Sequence, residues 1–84
     1  MYALFIVEPP STDVQYQADQ WARFRLVLDE TKKQIPPDFV LANNVVLLEL
    51  AKHSNLLGKL IYNAQLIHHK VLYLEKTPIT YLHR

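Results

Sequence analysis

The chain opens on a dense apolar run. Residues 2–8 (Tyr-Ala-Leu-Phe-Ile-Val-Glu) are rich in β-branched and aromatic residues, and Pro9-Pro10 follows directly. Such a run predicts a strand, and proline, which has no N–H to give a ladder, ends it. Ser11, Thr12 and Asp13 then supply helix-capping side chains, with Thr12 and Gln15 at capping-box spacing. Val14, Ala18, Trp21, Phe24, Leu28 and Thr31 recur every three or four residues, which predicts a helix over residues 13–33. Lys32 and Lys33 suit its C-terminal end, where cations complement the dipole.

The second half repeats the alternation of strand and helix. Residues 34–38 form a rigid, proline-containing connection. Residues 39–42 and 45–50 are apolar and flank Asn43-Asn44. Two readings compete. Either the asparagines make a tight hairpin turn, since Asn tolerates positive φ, or only residues 45–50 form a strand. Ser54 is placed to cap a second helix, with Leu57, Leu60, Ile61, Ala64 and Ile67 as its apolar stripe and an end near His68-His69. Gly58 lies inside that helix and costs stability there, which suggests a close approach of helix to sheet. Residues 70–75 read as a strand, Lys76-Thr77-Pro78 as a break, and residues 79–83 as a short edge strand.

The fold class is therefore α+β, in a single domain spanning residues 1–84. With the hairpin, the order is βαββαβ, the ferredoxin-like two-layer α/β sandwich. Without it, a three-stranded parallel βαβαβ sheet remains.

One feature of the strands departs from a simple two-layer design. A sheet with one wet face alternates apolar and polar residues. Here Tyr2, Leu4 and Ile6 oppose Ala3, Phe5 and Val7; Val45 and Leu47 oppose Val46, Leu48 and Leu50; Val71 and Tyr73 oppose Leu72 and Leu74. Two helices cover one face only, and an exposed apolar patch marks an interface. A second copy of the chain is the leading cover, with Tyr2, Leu4, Ile6 and Tyr73 as partner-binding residues. The alternatives are the chain's own residues 77–84, a foreign protein partner, or a parallel sheet whose central strands are apolar throughout.

Composition narrows the chemistry. Half of the 84 residues are apolar, there is one glycine and no cysteine, and net charge is +1. The composition argues against intrinsic disorder, and the absence of cysteine excludes disulfides, thiolate metal sites and cysteine nucleophiles. A single glycine excludes phosphate-binding glycine loops. Near-neutral charge speaks against a phosphate-tracking nucleic-acid binder, although Arg23, Arg25, Lys32 and Lys33 share the first helix; Asp19, Asp29 and Glu30 interleave with them. Trp21 falls on the apolar stripe and reads as core. The N-terminus has neither the basic region nor the long apolar run of a leader or membrane span, so the chain is expected to be cytoplasmic, untargeted and complete.

Glu8 and Glu49 end strands that are expected to be neighbours and parallel in either topology, which would set both carboxylates at one sheet edge, where they suit Mg²⁺ or acid–base work. Glu75 joins them only if the last strand is also parallel. His53, His68, His69 and His83 lack zinc-site spacing and read as solvated or helix-end residues. Ser11 and Ser54 read as caps rather than nucleophiles. No cofactor or metal site is expected.

The βαββαβ order resembles that of ferredoxin-like small bacterial proteins, including the metal-dependent nucleases of CRISPR adaptation and an antitoxin endoribonuclease. In the adaptation nucleases an acid ends the first strand; Glu8 is its counterpart, as Glu in place of the usual Asp. The leading functional expectation is a non-enzymatic, homodimeric interaction or regulatory module. The alternatives are a metal-dependent nuclease or RNA-processing protein using Glu8 and Glu49, and a nucleic-acid binder through the first helix.

Overall fold

The computed structural model describes residues 1–11 and 13–76. Thr12 of the expected capping box, the expected edge strand at residues 79–83 with His83, and residues 77–84, read as a cover for the second face, lie outside them. The elements are β1 (Tyr2–Val7), α1 (Gln15–Gln34), a 3-10 turn (Pro37–Phe39), β2 (Val40–Ala42), β3 (Val45–Glu49), α2 (Leu50–Asn63) and β4 (His69–Leu74). The strands form one four-stranded sheet in the order β2-β3-β1-β4. Every neighbouring pair is antiparallel, so the three-stranded parallel alternative is overturned.

The hairpin reading is the one adopted. Asn43 and Asn44 form the turn between β2 and β3. It needs no positive φ, which no described non-glycine residue adopts. The ladder accommodates it differently: the register shifts between Val40 and Ala42, a bulge that leaves β2 short.

β1 and β3 each send alternate residues into one core. Ala3 faces Leu48, and Phe5 faces Val46 and Val71. Both helices close over these residues with Phe24 and Leu28 of α1 and Leu56, Leu57 and Leu60 of α2. Rings run in sequence through this core: Trp21 lies 6.0 Å from Phe24, and Phe24 lies 6.1 Å from Phe5. Thr31, the one buried polar residue among those described, satisfies its hydroxyl by donating to the Val27 carbonyl at 2.9 Å.

The helix ends show where local signals compete. α1 starts two residues later than its period suggests, on Val14 as N-cap with no side-chain cap; Asp13 N–H instead donates to Ser11 Oγ at 3.3 Å. It ends at Gln34 because Ile35 precedes Pro36, whose ring forces the preceding residue into the extended region, φ −116° and ψ 159°. α2 follows β3 without a loop, and Leu50 N–H donates to the Met1 carbonyl at 3.1 Å. It bends at His53, φ −129° and ψ 27°, one residue before Ser54. The expected cap at Ser54 thus marks a kink rather than the start.

At its far end α2 stops at Asn63, five residues short of His68. The apolar period continues through Ala64 and Ile67, both buried, but the chain has already unwound into a turn there. His68 and His69 are consequently not helix-end residues; His69 is the first residue of β4.

Gly58 also departs from expectation. It is exposed, and a Cβ placed on it meets nothing within 4 Å. No close approach requires it. Gly58→Ala is expected to stabilise the fold by about 0.5–1 kcal/mol, through the entropy of the unfolded chain and helix propensity. In a domain of this size, 1 kcal/mol raises Tm by roughly 4–8 °C. Leu60→Ala, at a site with no exposure, is expected to cost about 2–5 kcal/mol. Thermal or urea unfolding of both variants checks the contrast; a destabilising Gly58→Ala would contradict the open surface described.

Candidate functional site

The face of the sheet turned away from the helices follows from the register. Tyr2, Leu4 and Ile6 of β1 lie between Val45 and Leu47 of β3 on one side and Leu72 and Leu74 of β4 on the other. Leu47 pairs with Leu4 and is completely buried. Tyr2, Leu4, Ile6, Val45 and Leu74 are half-buried, and Leu72 is 48% exposed. The Tyr2 ring meets Phe39 edge-on, centroids 6.2 Å apart. Charge is confined to the ends of this face. Glu49 lies opposite Tyr2 and pairs with Lys52 at 3.6 Å, while Lys70 lies opposite Ile6.

Three of the four expected partner-binding residues, Tyr2, Leu4 and Ile6, therefore share a face. Tyr73 does not. It pairs with Ala3, whose side chain points to the helices, and it is exposed because β4 is the edge strand. Leu72 and Leu74 take its place on the shared face.

Glu8 and Glu49 are not brought together. β1 and β3 are antiparallel, with Glu49 opposite Tyr2 and Glu8 one residue beyond Val7. Six strand residues separate the two ends, roughly 20 Å at the rise of an extended chain. The hairpin is the cause: α1 returns β2 parallel to β1, and the turn at Asn43-Asn44 reverses β3. The shared carboxylate site expected of a metal-dependent nuclease does not form. Glu75 follows Leu74, which is opposite Tyr2, and so falls at Glu49's end instead.

What gathers around Glu8 is a different set. Glu8 N–H donates to the His68 carbonyl at 2.9 Å, joining the end of β1 to the start of β4. A shallow groove of about 480 Å³ opens there, lined by Ile6, Val7, Glu8, Pro9, His68, His69 and Lys70. His69 is held there by two contacts. Its Nδ1 lies 2.7 Å from the Ile67 carbonyl, and its ring stacks on Phe5 with centroids 5.7 Å apart. A carbonyl only accepts, so Nδ1 carries the proton, and the neutral ring keeps its lone pair on Nε2. That nitrogen can accept a proton or a metal bond. Among the described residues, no three ligating side chains are grouped to hold an ion. Sequence patterning missed this groove because His68-His69 reads as the end of a helical period; the usable signal was the antiparallel pairing of residues 2–7 with 69–74.

The basic residues of α1 do not form a phosphate-tracking stripe. Lys33 pairs with Glu30 at 3.1 Å, and Lys32 donates to the Asn43 carbonyl at 2.7 Å. Arg23 and Arg25 are two residues apart and point to different sides of the helix. No helix among the described residues is long and apolar enough to cross a membrane.

Nitrogen-15 NMR checks the groove's arrangement: at alkaline pH, His69 is expected as the Nδ1–H tautomer. Dominance of the Nε2–H form would remove the bond to Ile67. Comparison of the chain with known protein families, with curated proteins and with solved structures returns no match.

Proposed function

We propose that this chain is a small cytoplasmic, non-enzymatic interaction module of ferredoxin-like βαββαβ type that assembles with a second copy through the sheet face opposite its helices. The observation that carries this reading is the composition of that face. Tyr2, Leu4, Ile6, Val45, Leu72 and Leu74 surround the enclosed Leu47 and make the accessible part of this face apolar across three strands. It has the anatomy of an association surface, with an apolar centre and charges at its rim.

A second copy suits it on two counts. A two-fold operation sets apolar centre against apolar centre, as a self-complementary interface requires. Each end of the face also carries both signs, Glu49 with Lys52 at one and Glu8 with Lys70 at the other. Opposite charges are therefore at hand whichever ends meet. A net charge of +1 adds little repulsion between copies. The ferredoxin-like assignment is supported by the element order and by the antiparallel sheet with β1 and β3 at its centre.

Light scattering on the purified chain tests the reading. The wild type is expected to associate, and Leu4→Lys to halve its solution mass while leaving the far-UV circular dichroism spectrum in place. Ile6→Lys is expected to do the same, closer to the rim. A monomeric wild type sinks the reading, as does a folded Leu4→Lys variant of unchanged mass.

A further inference from the structure

We infer that the outer edge of β4 is a second, separate association site, and that its occupant is β4 of another copy, paired antiparallel about a two-fold axis at Leu72.

The hydrogen-bonding pattern shows which groups are free. Glu8 N–H donates to the His68 carbonyl, and Val7 N–H donates to the Asn44 carbonyl. Antiparallel ladders alternate, so even-numbered residues of β1 bond to β4 and odd-numbered ones bond to β3. On β4 the residues bonded inward are then Lys70, Leu72 and Leu74. His69, Val71 and Tyr73 direct their N–H and C=O groups outward. Among the described residues nothing pairs with that side, because β4 ends the sheet.

The two edges of the sheet are unequal. β2, at the other edge, has three residues and an interrupted register. Short edges and bulges are the usual protection against strand pairing. β4 has neither. It runs six residues without proline, and Leu72 and Tyr73 on it are 48% and 60% exposed. Lys70 is its one charged residue.

A copy of β4 fits this edge in one register. Outward-facing residues must pair with outward-facing residues, so the axis can pass only through a single residue. Centred on Leu72, Val71 pairs with Tyr73 of the other copy, twice, which joins a β-branched side chain to an aromatic one. His69 then meets Glu75, Lys70 meets Leu74, and no like charges oppose. Centring on Tyr73 sets Lys70 against Lys76, and centring on Val71 sets Leu74 and Glu75 against residues that precede the strand. The axis of this pairing stands perpendicular to the sheet. The face described above is a different surface, and this inference does not rest on that reading.

Two variants separate the sites. Tyr73 points outward through its N–H and lies off the apolar face, so Tyr73→Pro removes a donor from the edge while keeping the bonds to β1. It is expected to halve the solution mass seen for the wild type. The second test uses the absence of cysteine. Across the axis the Leu72 Cα atoms approach to about 4.5 Å, within the roughly 4.4–6.8 Å that a disulfide spans. Leu72→Cys is expected to cross-link into covalent dimers under mild oxidation far faster than Leu26→Cys, an exposed control on α1. The cross-link should persist with Leu4→Lys and vanish with Tyr73→Pro. A folded Tyr73→Pro variant of wild-type mass overturns the inference. So does cross-linking of Leu72→Cys no faster than the control, even if Tyr73→Pro fails to fold. Loss of mass in Leu4→Lys alone would leave the face reading standing and remove this one.

Discussion

The fold depends on β1 being paired on both sides. Its even-numbered residues bond to β4 and its odd-numbered ones to β3, so the strand has no freedom of register once both neighbours are in place. A slip of one residue would exchange Ala3, Phe5 and Val7 with Tyr2, Leu4 and Ile6. In most sheets such a slip is forbidden by polarity, because it buries polar side chains. Here both sets are apolar, and polarity alone discriminates weakly. What discriminates is shape: Phe5 must meet Phe24 and the His69 ring, and the small Ala3 is completely enclosed. The two flanking ladders and the ring sequence from Trp21 to His69 hold the register that hydrophobicity by itself would leave loose.

That arrangement has an energetic consequence. A domain of 84 residues buries a modest share of its surface, and folded stability is a small difference between large terms. The helix-covered core takes up the larger apolar residues of both helices. The remaining apolar residues of β1, β3 and β4 stay on the second face, where only Leu47 is completely enclosed. Each half-exposed side chain there withholds part of its transfer free energy until something covers it. The same residues that make the strands strong β-formers thus leave the isolated sheet short of its full stabilisation.

Much of this was legible in the amino-acid pattern. Pro9-Pro10 ends β1 as proline must, the three-to-four spacing from Trp21 to Thr31 names the buried side of α1, and the apolar content of both strand faces is visible residue by residue. What was not legible is direction. Whether Glu49 lies beside Glu8 or at the far end of the sheet depends on whether the chain reverses at Asn43-Asn44 before β3, and that pair is a weak marker of a reversal. The histidines failed for a related reason. Ile67 keeps the helical period although the helix has ended at Asn63, because a buried residue in a turn can satisfy the same spacing as one on a helix. Gly58 misled in the other direction: glycine inside a helix suggests crowding, and here it faces open space.

The inequality of the two sheet edges bears on how far association by strand pairing can run. A sheet with two open edges can add neighbours without limit, which is the geometry of a fibril. This sheet has one edge shortened and kinked by its hairpin, and one left straight. Once the straight edge is occupied, the far boundary of the enlarged sheet is again β2, which offers three residues and a broken register. Growth in the plane of the sheet is self-terminating. In the proposed strand pairing the bulge beside Asn43 would work as a counting device: it would set the number of chains a continuous sheet can contain, although it lies at the opposite edge of the sheet from β4.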